Sequence, residues 1–474
     1  MEALLTRLSD ILDHRGLITS VPEATPYLEE RRGRFRSESS VIARPRDAAE
    51  VQAVVRACIA ENVSLVPQGG NTGLCGGAVA GPDQVILSLE RLKQIRDIDS
   101  ANNTMTVEAG CVLADLQAHA RGADRFFPLS LAAEGSCQIG GNLATNAGGI
   151  NVLRYGNARD QVLGLEAVMP SGEILSDLNG LRKNNTGYDL KQLLIGSEGT
   201  LGVITAATLK LYPHPDQSAT ALVALSDLPA SVAFLGQAQS GSGGTLCSFE
   251  LMPRIGLEFA CRHVTGCSDP MAAPHEWYVL LSLQASGDAI NVEALLSQIL
   301  ETAFDAGEIA DAVVAASEHQ AQSLWKLREG IVEGQRIEGA SIKHDVSVPV
   351  SKVPQFIVNA SAAVAEHVPG IRPCPFGHLG DGNIHFNLSQ PVGMDGQIFL
   401  DLWEEVNDVV HDLVAVLGGS FSAEHGVGIA KIHEMHKYKD PTALKVMAAI
   451  KNALDPDNLF NPGKVIPVPD ADSR

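Results

Sequence analysis

The chain has 474 residues, of which 45% are hydrophobic, and its net charge is −21. This length exceeds what one hydrophobic core serves, so we expect at least two domains. The acidic balance and the lack of any run of five Lys or Arg exclude the basic surface that nucleic-acid binding needs. The N-terminus lacks the basic start of a signal peptide, and no stretch of about 18 uncharged apolar residues occurs, so the predicted location is cytoplasmic.

Eight cysteines are scattered along the chain, and no two of them form a Cys-x-x-Cys pair. Disulfide frameworks and zinc–cysteine sites depend on clustered or regularly spaced cysteines. The spacing therefore predicts buried free thiols.

The first half of the chain is predicted to begin with helices and to continue as short strands between glycine-rich loops. Apolar residues from Leu4 to Leu12 fall on one helical face that ends at Gly16, and a second helix is expected over residues 47–62. Between residues 64 and 212, β-branched runs such as 85–89 and 203–211 alternate with glycine-dense loops. This pattern predicts an α+β segment built around its loops.

Pro213 and Pro215 interrupt this pattern, so we place a domain boundary near residue 213. Beyond it, strand-like runs such as 277–283 alternate with helical runs such as 320–336, which predicts an antiparallel sheet backed by helices. The chain is mostly helical from Phe399 onward. The predicted division is thus residues 1–213, 214–398 and 399–474.

Three glycine-rich loops, at residues 67–77, 134–149 and 196–202, are candidates for binding a phosphate-containing cofactor. Glycine lets backbone amides approach a phosphate closely and point toward it. The first loop mimics a dinucleotide fingerprint, with Glu90 twenty residues past Gly70. A Rossmann turn must open a helix, however, and residues 84–89 have the pattern of a strand, so we do not expect NAD.

These loops, together with Ala109–Leu113 and Leu181–Leu190, resemble the FAD domain of the vanillyl-alcohol oxidase/p-cresol methylhydroxylase superfamily, and in particular its FAD-dependent D-2-hydroxy-acid dehydrogenases. The resemblance covers residues 40–466. It implies an α+β fold with a two-subdomain PCMH-type FAD-binding domain, a substrate (cap) domain with an antiparallel sheet and helices, and a helical C-terminal part that returns to the FAD. Family members with covalent FAD often carry a histidine in the first loop, which this chain lacks, so we expect noncovalent FAD.

The residues that the resemblance assigns to FAD come from all three loops, from the segment after the second loop and from the C-terminal part. They are Pro67, Gln68, Gly69, Gly70, Asn71, Thr72, Gly73, Gly135, Ser136, Ile139, Gly140, Gly141, Asn142, Thr145, Asn146, Gly148, Gly149, Tyr155, Gly156, Glu198, Gly202, Ile204 and Asn461.

Residues 376–387 contain two histidines around Asp381-Gly382, a dipeptide typical of a two-residue type I′ hairpin turn. That turn would pair His378 directly with His385, with their Cβ atoms about 5 Å apart. Two imidazoles at this spacing can share one metal ion. Glu424 is the candidate third ligand, and His425 stands beside it in a glycine-flanked loop.

The resemblance implies that His378, His385 and Glu424 bind zinc, with manganese as an alternative, and that His425 is the base. The implied reaction oxidises a D-2-hydroxy acid: the metal polarises the 2-hydroxyl, neutral His425 takes its proton, and the C2 hydride passes to the flavin. D-2-hydroxyglutarate is the expected substrate. The implied electron acceptor is an electron-transferring flavoprotein, although a quinone, a cytochrome or direct oxidation by oxygen stays open, and a homodimer is expected.

Substrate carboxylates need cationic partners in a chain this acidic. Arg328, on a predicted helix, can offer a carboxylate two hydrogen bonds in fork geometry. By resemblance, Lys343 and Asn387 join it. Val332 stands where the resembling enzymes carry threonine, and its side chain cannot hydrogen-bond. This departure keeps D-malate and D-lactate open as substrates.

Overall fold

The computed structural model describes residues 1–30 and 33–467. The chain forms two compact units: unit 1 comprises residues 1–149, 156–214 and the part from 424 onward, and unit 2 comprises residues 150–155 and 215–423. Residues 399–423 therefore lie in unit 2, and the three-part domain division stays a prediction. None of the helices in the described ranges is long and apolar enough to cross a membrane.

The described strands, in chain order, are β1 (Leu17–Ile18), β2 (Val41–Ala43), β3 (Leu65–Gln68), β4 (Val85–Ser88), β5 (Ile95–Asp99), β6 (Thr104–Glu108), β7 (Arg125–Phe126), β8 (Val162–Val168), β9 (Ile174–Asp177), β10 (Val203–Lys210), β11 (Tyr212–Pro213), β12 (Gln217–Leu225), β13 (Leu246–Pro253), β14 (Trp277–Ala285), β15 (Ile309–Val314), β16 (Ser341–Ser347), β17 (Arg372–His378) and β18 (Asn383–Ser389).

The described helices, in chain order, are α1 (Glu2–Ile11), α2 (Val21–Leu28), α3 (Ala48–Ala60), α4 (Leu113–Gly122), α5 (Ile139–Ala144), α6 (Val152–Tyr155), α7 (Lys191–Leu194), α8 (Ala230–Gly241), α9 (Arg254–His263), α10 (Val292–Asp305), α11 (Glu318–Ile337), α12 (Val353–His367), α13 (Gly396–Leu400), α14 (Trp403–Val416), α15 (Ile432–Tyr438) and α16 (Pro441–Leu454). Within the described ranges, short 3₁₀ turns cover Ala158–Gln161, Val350–Lys352 and Leu379–Asp381.

Unit 1 contains two main sheets. The smaller one has the order β1-β2-β4-β3, with β2, β3 and β4 parallel, and the larger one is antiparallel with the order β5-β6-β10-β8-β9. The predicted helices are confirmed as α1 and α3, and the Asp47 carboxylate caps α3 by accepting from the Glu50 amide at 2.9 Å. The strand predicted after the first loop is confirmed as β4, so no Rossmann helix follows that loop.

Unit 2 is built on one seven-stranded antiparallel sheet with the order β15-β12-β14-β13-β17-β18-β16. Apolar residues on one face pack against α8, α10, α12 and α14, whereas the other face packs against α9 and α11. The expected antiparallel sheet backed by helices is therefore confirmed. Because side chains alternate between the two faces, each strand side chain points toward one helix layer or the other.

The predicted register of the histidine hairpin is wrong. Residues 379–381 form a 3₁₀ turn and Gly382 follows in the left-handed region with φ 81°, so the loop is longer than the two residues of a type I′ turn. His378 consequently pairs with Asn383, and Phe376 pairs with His385. The two histidines still share one face of the sheet as diagonal neighbours, because the register moved by an even number of residues.

Candidate active site

The three glycine-rich loops of unit 1 line a single cleft. Residues 67–79 form its largest wall, and the second and third loops contribute the opposite side. Gly70 lies against the second loop so closely that a Cβ there would meet the Ser136 carbonyl oxygen at 2.1 Å. The first and second loops can approach this closely only because residue 70 has no side chain.

The polar atoms of the cleft fit an elongated cofactor with many hydrogen-bonding groups. Among the described residues, no hydrogen-bond partner reaches the buried atoms Gln138 Oε1 and Asn142 Oδ1, and both side chains line the cleft. Buried acceptors normally have donors, so these two atoms indicate that a ligand with donor groups completes the site. The residues present therefore fit FAD.

All of the first-loop predictions, and some of those from the segments that follow, lie in this cleft. The lining includes these residues assigned to FAD from the sequence: Pro67, Gln68, Gly69, Gly70, Asn71, Thr72, Gly73, Gly140, Gly141, Asn142, Thr145, Glu198, Gly202 and Ile204.

The other predicted FAD residues are not part of the described lining, and their role stays a prediction. Gly135 and Ser136 are exposed, and Ile139 is buried in the core of unit 1. The remaining predicted residues of the second loop and the segment that follows it are Asn146, Gly148, Gly149 and Gly156 in unit 1 and Tyr155 in unit 2.

His425 also lines this cleft, on a loop that is attached directly to the first glycine-rich loop. The amides of Ile429 and Ala430 donate to the Cys75 carbonyl oxygen at 3.0 and 3.1 Å. Gly428, at φ 52°, is in such close contact that a Cβ there would lie 2.0 Å from the same oxygen. The predicted base is thus held beside the loops predicted to bind FAD.

Glu198 joins the third glycine-rich loop to the His425 loop. Its carboxylate accepts hydrogen bonds from the Val427 amide at 2.7 Å and from the Gly428 amide at 2.9 Å. Burial raises the pKa of Glu198, although these two amides oppose the shift. Its backbone has a positive φ of 52°, a conformation that a non-glycine residue adopts only when its surroundings enforce it.

Asn461 reaches the same region from the C-terminal part of the chain. Its side-chain amide donates to the carbonyl oxygens of Gly77 and Glu198 at 2.8 and 2.7 Å. These bonds tie the first and third loops together. Asn461 therefore lies next to the first and third glycine-rich loops, and its contact with FAD stays a prediction.

In unit 2, the predicted metal and substrate residues share one face of the sheet. Aligned across β16, β18 and β17, one row contains Asp345, His385 and Phe376, and the next contains Lys343, Asn387 and Cys374. A further row runs through Ser347, Asn383, His378 and Glu250. Helix α11, which carries Arg328 and Val332, packs over this face.

The rings of His378 and His385 are 5.4 Å apart between centroids and stand nearly perpendicular. In unit 2, donor atoms of His385 and Asp345 lie within 4.8 Å of each other, and in unit 1 the same holds for Glu424 and His425. Imidazole nitrogens and carboxylate oxygens are the donor set of a zinc or manganese site. Each unit therefore carries part of a donor set that fits a divalent cation.

A buried carboxylate that the sequence analysis missed, Glu250, contacts two predicted site residues. Its Oε1 atom accepts from His378 Nδ1 at 2.6 Å, and its Oε2 atom pairs with Arg328 Nη2 at 2.8 Å. Burial alone would raise the pKa of Glu250, but the charges and hydrogen bonds of His378 and Arg328 lower it to about 2. The contacts with His378 and Arg328 therefore favour the ionised form of Glu250.

The predicted substrate residues differ in their surroundings. Arg328 is 7% exposed, and its guanidinium lies 4.7 Å above the centre of the Phe376 ring. Lys343 is paired across the strands with Asn387, whose side-chain amide donates to Gln335 Oε1 at 2.9 Å. Val332 is 46% exposed on α11. Their substrate contacts stay predictions.

Asp345 is the second site residue missed from the sequence. It is 2% exposed, its Oδ1 atom lies 3.8 Å from His385 Nδ1, and it accepts from Asn383 Nδ2 at 2.9 Å. One signal was available: Asp345 stands two residues from Lys343, so both point to the same face of a strand. Glu250 had no such local signal.

Two family models match the chain. An FAD binding domain covers residues 39–177, and the C-terminal domain of FAD linked oxidases covers residues 214–465.

The D-2-hydroxyglutarate dehydrogenase of Xanthomonas citri pv. viticola is 40% identical over 434 residues, which are 91% of this chain and 90% of that protein. That of Stutzerimonas stutzeri is 36% identical over 98% of both chains, and the mitochondrial enzyme of Rattus norvegicus is 37% identical over 90% of this chain and 78% of its own.

Solved structures show the same fold at low sequence identity. p-Cresol methylhydroxylase with substrate bound superposes with a TM-score of 0.76 at 16% identity, covering 98% of this chain and 97% of that one. 4-Ethylphenol oxidase from Gulosibacter chungangensis, in complex with isoeugenol, gives a TM-score of 0.74 at 16% identity and the same coverage. The predicted fold class, an FAD-binding domain of the p-cresol methylhydroxylase type with a cap domain, is confirmed. The chain therefore belongs to the FAD-linked oxidase family, as a relative of the D-2-hydroxyglutarate dehydrogenases.

Proposed function

We propose that the protein oxidises a D-2-hydroxy acid, with D-2-hydroxyglutarate as the preferred substrate, using noncovalent FAD. The observation that carries this proposal is the position of His425 in the same cleft as the three glycine-rich loops. The substrate is proposed from the relatives, which are D-2-hydroxyglutarate dehydrogenases aligned over at least nine-tenths of this chain. The lack of a histidine in residues 67–77 supports noncovalent binding.

Oxidation removes a hydride from C2 and a proton from the hydroxyl group, and a 2-oxo acid remains. FAD, when bound, supplies the hydride acceptor. His425 is the base in this proposal: its imidazole takes the hydroxyl proton in the transition state, which requires the ring to be neutral before the reaction. Glu424 Oε1 lies 3.9 Å from His425 Nε2 and can stabilise the imidazolium that forms.

We further propose that His378, His385 and Glu424 bind a divalent cation, zinc or manganese, with Asp345 as an additional ligand. A cation bound there would lower the pKa of the substrate hydroxyl. The chain connectivity supports this proposal, because the Ala423 amide donates to the Asp345 carbonyl oxygen at 3.2 Å and Glu424 is the next residue. His378 and His385 supply the nitrogen donors on the same face of the sheet as Asp345.

The substrate carboxylates would be held by Lys343, Arg328 and Asn387. Lys343 and Asn387 are neighbours across β16 and β18, so a cation and an amide face one carboxylate together. Arg328 adds positive charge, although two of its nitrogens already pair with Glu250. The Val332 side chain cannot hydrogen-bond, so D-malate and D-lactate stay open as alternative substrates.

A substrate panel tests this function. The flavin-loaded protein is assayed with D- and L-2-hydroxyglutarate, malate and lactate and with an artificial dye as electron acceptor, and the metal content of the same preparation is measured. We expect turnover with D-acids, highest kcat/KM for D-2-hydroxyglutarate, and a loss of about 10²- to 10⁴-fold in kcat for His425→Ala with FAD retained. Turnover of His425→Ala at the wild-type rate would contradict the assignment of the base.

An electron-transferring flavoprotein as physiological acceptor, a cytoplasmic location and a homodimeric state complete the proposal. Reoxidation of the dye-free reduced protein by air separates a dehydrogenase from an oxygen-using oxidase. Slow reoxidation is expected here.

A further inference from the structure

Glu250 makes contacts that reach beyond its own strand. It lies in β13, directly opposite His378 of β17, and its side chain is 1% exposed. One carboxylate oxygen accepts from His378 Nδ1 at 2.6 Å, while the other accepts from Arg328 Nε and Nη2 at 2.9 and 2.8 Å. Each oxygen therefore serves one partner, and the two partners come from a strand and a helix.

The hydrogen bond between Glu250 and His378 determines which ring nitrogen of His378 would bind a metal ion. The His378 Nδ1 atom lies 2.6 Å from a carboxylate oxygen of Glu250, and this contact favours the ring tautomer that carries its proton on Nδ1. In the neutral ring Nε2 then has the lone pair, and Nε2 lies on the side of the ring away from Glu250. A histidine held in this way by a carboxylate is the arrangement that orients metal-binding imidazoles in proteins.

The contact with Arg328 decides the direction of the guanidinium. Its Nε and Nη2 atoms are both used by Glu250, and its flat face rests on the Phe376 ring at 4.7 Å. With these atoms fixed, the guanidinium has little rotational freedom. Its charge also offsets that of Glu250, without which the buried carboxylate would be strongly disfavoured.

We propose that Glu250 is a positioning residue that orients His378 and Arg328 together, so that one buried carboxylate sets the nitrogen offered to the metal and the direction of the substrate-binding cation. This inference rests on the proposed function for the roles of His378 and Arg328. The geometry that carries it, a carboxylate shared between both residues, lies entirely within unit 2.

The test compares Glu250→Gln with the wild-type holoprotein. The neutral amide keeps the size of the side chain but replaces one acceptor with a donor, so it can accept from Arg328 only if His378 Nδ1 gives up its proton and accepts from the amide. The matched control is Glu258→Gln, which removes a carboxylate paired with Arg254 at 2.9 Å on α9 of the same unit. Glu250→Asp keeps the charge with a shorter reach and serves as the second variant if Glu250→Gln does not fold.

Two readouts are independent of turnover. Long-range ¹H–¹⁵N NMR of histidine-labelled protein reports the protonated ring nitrogen, with the His378 signal assigned from His378→Gln. Competition with a chelator reports the affinity for added Zn²⁺. We expect Nδ1–H in the wild type, a shift toward Nε2–H in Glu250→Gln, and Zn²⁺ binding weakened by about 10- to 100-fold. Glu258→Gln should match the wild type in both measurements.

An unchanged His378 tautomer together with unchanged Zn²⁺ affinity in Glu250→Gln would overturn the proposal. For Glu250→Asp, the expected result is weaker Zn²⁺ binding with the Nδ1–H form retained, and wild-type affinity would count against it. The tautomer signal requires neither substrate nor metal. A protein that failed to oxidise any D-2-hydroxy acid would therefore refute the proposed function while the NMR comparison still decided the role of Glu250.

Discussion

Replacing Glu198 by glutamine should slow the reaction without emptying the flavin cleft. The Glu198 carboxylate accepts from the amides of Val427 and Gly428, two and three residues after His425. Glutamine keeps one acceptor oxygen and turns the other position into a donor, so at least one of these bonds is lost. Leaving a buried amide donor without its acceptor costs about 1–3 kcal/mol.

That loss corresponds to roughly a 5- to 150-fold lower equilibrium constant for the loop arrangement that holds His425 in place. We therefore expect kcat to fall by roughly fivefold or more in Glu198→Gln, while the glycine loops still bind FAD. Gly426→Ala should act in the same direction, because its Cβ would lie 2.7 Å from Glu198 Oε1 at a φ of 78°.

The assay combines kcat with a dye acceptor and the flavin-to-protein absorbance ratio. The control is Glu173→Gln, which changes an exposed carboxylate of unit 1. Wild-type kcat in Glu198→Gln at full flavin content would refute this reasoning. A lower kcat caused only by lost flavin would assign Glu198 to FAD binding instead of to the His425 loop.

Three further predictions concern the metal, the substrate and the thiols. Dialysis against a chelator should abolish substrate oxidation while the flavin absorbance stays, and full activity in metal-free protein would remove the cation from the mechanism. Val332→Thr should raise kcat/KM for D-2-hydroxyglutarate relative to D-malate by about 2- to 13-fold, the value of one hydrogen bond, and an unchanged ratio would show that position 332 does not contact the substrate. Burial raises the pKa of the Cys58 and Cys374 thiols to about 12. At pH 8, iodoacetamide should therefore modify the half-buried Cys261 and Cys267 first. Early labelling of Cys58, detected by mass spectrometry, would contradict the packing.

The FAD cleft could be predicted from the sequence because its signals are local. Each glycine-rich loop is a continuous segment, and the need for backbone amides near a phosphate restricts the residue types within it. The strand after the first loop was also predictable, since residues 85–89 form a short run that contains β-branched residues. The same holds for α3, where Asp47 marks the N-cap.

The hairpin register could not be fixed from the Asp381-Gly382 pair alone. Gly382 does adopt a positive φ, as the turn signal implies, but a 3₁₀ turn at residues 379–381 lengthens the loop. Pairing depends on loop length as much as on the residues at the turn. The register error did not change the face of the sheet on which the histidines lie. It did change the residue opposite His378, which is Asn383 instead of the predicted His385.

Glu250 could not be identified as a site residue from the sequence, because its partners are remote along the chain. It is 78 residues from Arg328 and 128 residues from His378. A single glutamate in an apolar strand has no periodic or motif signal, and its meaning appears only when β13 pairs with β17. A local sequence pattern does not encode long-range strand pairing of this kind.

The most direct test of the account is anaerobic stopped-flow mixing of the flavin-loaded, zinc-loaded protein with D-2-hydroxyglutarate, observed through the flavin absorbance near 450 nm. The account predicts that the flavin bleaches in a single turnover, that L-2-hydroxyglutarate leaves it oxidised, and that His425→Ala slows the bleaching by about 10²-fold or more. A wild-type flavin that stays oxidised with every D-2-hydroxy acid, despite full FAD and metal content, would contradict it.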